Sequence, residues 1–60
     1  MTNAQLAAKV AARIEANVAA FNAKQIDCAE FSRRQFAAWD AVIEKPRAAD
    51  MVRAAIAAGA

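Results

Sequence analysis

Nucleophilic chemistry in this chain would have to start from Cys28, Ser32 or Thr2, and each needs a base beside it to take its proton. There is no histidine, so the only bases are lysines and carboxylates that the helical pattern places on solvated faces. No catalytic set assembles from these residues, and the chain reads as a non-enzyme. Cys28 falls in the first turn of a helix, where the dipole stabilises a thiolate. It also falls in the middle of an apolar arc, so a small core residue is the preferred reading and a reactive or intermolecular thiol the other. A lone cysteine excludes an internal disulfide. Asp40 and Glu44 stand one helical turn apart and could in principle share a hard cation. Without a Glu-x-x-His pair or an oxygen-rich loop the pattern implies no metal and no cofactor.

The cations offer a second kind of chemistry. Lys9, Arg13, Lys24, Arg33, Arg34, Lys45, Arg47 and Arg53 give a net charge of +2 and a pI near 9.2. By segment the balance is +2 for the first helix, −2 for the second with Asp27, and +2 from Lys45 onward. That asymmetry favours phosphate or an acidic protein. Glu30 with Arg34, and Asp50 with Arg47 or Arg53, are nonetheless spaced as ordinary helix pairs. No aromatic side chain is interleaved with the cations, as a stacking platform for single strands requires. Lys9, Arg13 and Lys24, along one edge of the first helix, are the candidate nucleic-acid contacts. A helix-turn-helix reader fits poorly, because the first helix is too long and the turn has no glycine.

These residues are positioned by helices. One Gly, one Pro and 20 alanines in 60 residues argue against a β-rich fold or a flexible linker. The stated 60% hydrophobic content therefore leaves 16 apolar side chains larger than alanine, enough only for a thin core. The first helix should run from about 4 to 24, capped by Thr2 or Asn3, with Leu6, Val10, Ile14, Val18 and Phe21 on one face. Ala8, Ala12, Glu15, Ala16, Ala19 and Ala23 lie opposite, a side smooth rather than strongly polar that is either exposed or a second contact surface. The second helix should run from 28 to about 44. Its apolar arc holds Phe31, Ala38, Val42, Cys28, Trp39, Ile43 and Phe36 and is too wide for one neighbouring helix to cover. Pro46 ends that helix and suits the first turn of a third, from 46 to about 58, with Ala48, Val52, Ala55 and Ile56 on one side and Gly59 as its stop. The third helix is expected to dock on the Phe36, Trp39 and Ile43 side of the second.

The corner joining the first two helices is written Ile26-Asp27-Cys28-Ala29-Glu30-Phe31. Asp27 can accept from a free backbone N–H, Glu30 can reach back to the N–H of Asp27, and Ile26 can pack on Phe31, which makes a capping box with a hydrophobic staple. Over about 20 residues this turn resembles the Ile-Thr-x-Glu-Glu-Phe corner of short bacterial oligomerisation domains, with Lys24-Gln25 where that family has glycine. Capping chemistry alone produces the same pattern, so the resemblance assigns no family.

The fold class expected is all-α: a helical hairpin extended by a short third helix, one small three-helix bundle over residues 1–60, completed by dimerisation if the core proves too thin. A hairpin with a loosely attached last helix is the alternative. The expected function is a non-enzymatic module that binds another protein, of bacterial or phage origin, such as a mobile-element inhibitor of a host complex. Its contacts would be Phe36, Trp39 and Ile43, with Arg33 and Arg34 at the rim. The alternatives are a small nucleic-acid-associated protein and a structural subunit of a larger assembly. With no membrane-spanning run and no secretion signal, the chain reads as complete, mature and cytoplasmic, in the host cytoplasm if phage-encoded.

Overall fold

In the computed structural model, which describes residues 1–59, the chain is all-α: α1 spans Asn3–Asn22, α2 spans Cys28–Asp40 and α3 spans Pro46–Gly59. Residue 60, the end of the single domain expected, lies outside the described residues.

Thr2 rather than Asn3 caps α1. The Gln5 backbone N–H donates to Thr2 Oγ1 at 3.1 Å, and the Thr2 N–H donates to Gln5 Oε1 at 2.9 Å. This reciprocal pair is a complete capping box. At the other end α1 stops at Asn22, two residues before the expected Lys24. The reason is the backbone of Lys24, which takes a left-handed φ of 60°. There the Lys24 N–H donates to the Phe21 carbonyl at 3.0 Å and the Gln25 N–H to the Ala20 carbonyl at 2.9 Å. These two bonds are the Schellman closure, made here with lysine where glycine is usual.

At the start of α2, Asp27 Oδ1 accepts from the Glu30 N–H at 2.8 Å. The return half of the expected capping box is replaced, because the Glu30 carboxylate is held by Arg33 and Arg34 instead. Phe31 stacks on Phe21, with ring centroids 4.8 Å apart, and so joins α1 to α2 beside the corner. The helix ends at Asp40, four residues short of the expected Glu44. From there the chain tightens: Ala41, Val42 and Ile43 donate to the carbonyls three residues back, at 3.3, 3.0 and 3.3 Å. That turn points Val42 into the core and leaves Ile43 outside. Pro46 then opens α3.

The core is built from small side chains: Ala7, Val10, Ala11 and Ile14 of α1, Ala38 of α2, Val42 of the turn, and Ala48, Ala49 and Val52 of α3. Alanine at five of these nine positions lets the helix axes approach closely. Leu6, Trp39 and Ile56 pack against this cluster from its edges. Both α2 and α3 lie on α1, and the α1–α3 packing is the more extensive. This corrects the expectation that α3 docks on the Phe36, Trp39 and Ile43 side of α2. Ala7 and Ala11 on α1 and Ala48 and Ala49 on α3 all belong to the buried cluster, small side chains that suit close packing of two helices.

Three further positions differ from the pattern. Val18, expected on the buried face of α1, is 38% exposed, and Cys28 is exposed at the first turn of α2, so it is not a core residue. Ala55 of α3 is also exposed. No helix among the described residues is long and apolar enough to cross a membrane.

Candidate functional site

Two grooves flank α2, and between them they hold every residue expected at the protein contact. The first is formed where the outer side of α2 meets the turn after it and the start of α3. Phe36, Trp39, Asp40, Val42 and Ile43 line it together with Ala49 and Arg53 of α3, around about 340 Å³. Phe36 is 76% exposed and Ile43 75%, whereas Trp39 is half-buried against the core. The reason lies in the short α2: Val42 takes the inward place after the helix ends, and the next residue along must face out. Arg53 covers part of the indole, with its guanidinium carbon 5.5 Å from the ring centroid, while its Nη1 donates to Asp50 Oδ1 at 3.0 Å. Trp39 is thus held in place by a cation over its face and by core contacts beneath. Phe36 and Ile43 have no such cover.

The second groove lies between α1 and α2. Arg13, Ala16 and Asn17 line it from α1, and Arg33, Arg34, Ala37 and Ala38 from α2, around about 300 Å³. Arg33 and Arg34 therefore belong to this groove rather than to the lining of the Phe36 groove. Their guanidiniums share Glu30: Arg33 donates through Nε to Oε1 at 3.1 Å and through Nη2 to Oε2 at 2.5 Å, and Arg34 donates through Nε to Oε2 at 2.6 Å. The hydrogen bonds from Arg33, then those from Arg34, pull the Glu30 carboxyl down to about 2, and Glu30 in turn raises Arg33. Arg13 pairs with no carboxylate among the described residues.

Asn17 was not singled out by the sequence reading. It is 4% exposed, the one buried polar residue among those described, and its Nδ2 donates to the Phe31 carbonyl at 3.0 Å and to Gln35 Oε1 at 2.9 Å. The signal was available, since position 17 falls between Leu6 and Val10 on the wheel of α1, inside the apolar arc.

The candidate nucleic-acid contacts are scattered. Arg13 lines the α1–α2 groove, Lys24 lines a different groove at the hairpin corner, and Lys9 lines none of the principal grooves. Among the described residues no cluster of carboxylates and cysteine has the makings of a metal site. No protein-family model matches this chain, and no curated protein or solved structure does either.

Proposed function

We propose that this chain is a small non-enzymatic interaction module that docks a partner protein on the Phe36, Trp39 and Ile43 surface. The observation that supports the reading is the pairing of two large apolar side chains in water, 76% and 75% exposed, with a half-buried tryptophan in one groove. A thin Ala/Val core gives these residues nothing to pack on within the chain. Aromatic anchors set in a groove are what carry affinity at protein interfaces, and the fixed indole of Trp39 is already ordered before binding. Asp40 and Arg53 at the same groove give it both signs of charge, suited to fixing the orientation of a partner.

The test compares the wild-type chain with the Phe36→Asp, Ile43→Asp double variant. Both are used as bait against nuclease-treated lysate, and both are sized by sedimentation. Since neither side chain is in the core, the variant keeps its helical circular dichroism. A defined protein retained by wild type and lost from the variant supports the reading. Equal capture by both overturns it, as does a catch that vanishes with the nucleic acid. A wild-type dimer that the variant reduces to monomer makes the partner a second copy of the chain.

A further inference from the structure

The outer groove beside α2 carries both halves of its own complement. Phe36, Asp40 and Ile43, spaced four and three residues apart, line it from α2 and the turn after it, and all three are exposed. The Asp40 carboxylate makes no ion pair among the described residues. Whatever covers Phe36 and Ile43 must therefore bring Asp40 a cation, or leave it as an unpaired charge removed from water. Across the groove, on α3, stands Arg53. Among the described residues only its Nη1 donates within the chain, to Asp50 Oδ1, while its guanidinium is held over the Trp39 ring. The rest of its N–H fork is open and already oriented. Asp40 and Arg53 thus line one groove without pairing in the single chain.

We propose that this face binds a second copy of the chain about a two-fold axis, with Asp40 of each copy on Arg53 of the other and each Phe36 seated in the facing groove. The proposal rests on the interaction-module reading and names its partner. A two-fold rotation exchanges the α2 side of the groove with the α3 side, so each contact is made twice. Shape agrees with charge, because a projecting Phe36 and a recess of about 340 Å³ lie on the same face. The lining carries one charge of each sign. A uniformly acidic or basic partner sets one of the two against its own sign, and nucleic acid brings phosphates to Asp40. A second copy leaves neither unpaired. The net charge of +2 on each copy opposes pairing only weakly, since salt at about 0.15 M screens it beyond about 8 Å. A stable pair takes about 800 Å² from each partner, near a fifth of this chain's 4298 Å². Phe36 and Ile43, at no more than about 250 Å² each, fall short of that, so the dimer should be weak, half-formed near about 100 µM.

The experiment is sedimentation velocity on the purified full chain from about 10 µM to about 1 mM, with charge swaps at the two positions. Wild type should pass from monomer to dimer and stop there. The Phe36→Asp, Ile43→Asp variant should stay monomeric throughout. Asp40→Lys and Arg53→Glu should each weaken association about tenfold, because each sets two like charges face to face in the dimer. Mixing these two single variants should restore it, since Lys on one copy then meets Glu on the other while the remaining Asp40 and Arg53 still pair. Both positions are exposed, so the variants keep their helical circular dichroism; should Arg53→Glu lose it, the Asp40→Lys and Phe36→Asp, Ile43→Asp variants decide. A mixture no stronger than its parts overturns the two-fold pairing, as do species that grow beyond the dimer or a dimer that Phe36→Asp, Ile43→Asp leaves intact. A wild-type chain that stays monomeric overturns the second copy. If that monomer still captures a defined protein through Phe36 and Ile43, the interaction-module reading stands with another partner; if it captures none, both fall.

Discussion

The two flanks of α2 reverse the usual distribution of polarity. On the flank facing α1 the chain buries an amide, that of Asn17, and surrounds it with arginines. On the other flank it leaves Phe36 and Ile43 in water. An isolated exposed apolar residue needs no explanation, but two beside a half-buried tryptophan in one groove form a patch. The contrast follows from how the helices are joined. Alanines on α1 and α3 suit the close packing of those two helices, and α2 shares α1 through Ala38 and the Asn17 bonds, while α3 reaches its outer side at Trp39, through Arg53, and leaves Phe36 and Ile43 exposed. Phe36 and Ile43 are thus structurally idle, while the inner flank holds the hairpin closed.

Substitutions on the two flanks should differ most in stability. Ala38 is 3% exposed and sits where α2 meets α1, so Ala38→Leu overpacks the contact and should cost about 1–3 kcal/mol. For a domain of this size each kcal/mol moves the melting temperature by about 4–8 °C, which makes thermal circular dichroism an adequate measure. Phe36→Ser on the outer flank should stay within about 0.5 kcal/mol. Equal losses at the two positions would break the contrast and place Phe36 in a structural contact.

The corner that sets how α2 lies on α1 should show a smaller effect of the opposite sign. Lys24 holds a left-handed φ of 60°, a conformation that costs an L-residue about 1–2 kcal/mol and glycine almost nothing. Part of the gain is lost because glycine has more freedom in the unfolded chain. Lys24→Gly should therefore stabilise the hairpin by about 0.5–1 kcal/mol in denaturant unfolding. It should raise both flanks together, since neither groove is lined by a residue whose contact it changes. A gain accompanied by shifted Arg33 and Arg34 Nε resonances would show that the hairpin angle tunes the arginine groove.

What could be read from the sequence divides along the same line. The all-α class, the Asp27 cap and the Pro46 start are local, encoded within a few residues of where they act. The arc of Phe36, Trp39 and Ile43 was legible as wider than a single neighbour covers, but the third helix was expected to dock on it, and Phe36 and Ile43 are instead exposed. Cys28 was misplaced by extending the periodicity into a first turn that stands clear of α1. The docking of α3 was misjudged because large residues were weighted above alanine, whereas the close α1–α3 contact depends on Ala7, Ala11, Ala48 and Ala49 being small. The arginine groove could not be read at all, since the juxtaposition of Arg13 with Arg33 and Arg34 depends on the register of α1 against α2. Asn17 was within reach as a polar residue inside an apolar arc.

Acid should act on the inner flank and spare the outer one. Glu30 has its carboxyl lowered from 4.5 to about 2 by hydrogen bonds from Arg33 and then Arg34. A carboxylate depressed in the folded state contributes its stabilisation in full above the unfolded value, and the contribution fades as pH falls from about 4.5 through about 2. The pair is solvent-exposed, so the loss is small and salt reduces it further. Its consequence for the groove is larger than its consequence for stability. Once Glu30 is protonated, the guanidiniums of Arg33 and Arg34 lose the acceptor that orients them, and their Nε resonances should move together over that window. Glu30→Gln should abolish the transition while leaving the Trp39 fluorescence of the outer flank unchanged in wild type and variant alike. A Trp39 response tracking the Glu30 titration would mean that the two flanks of α2 are coupled through the helix and do not act as separate surfaces.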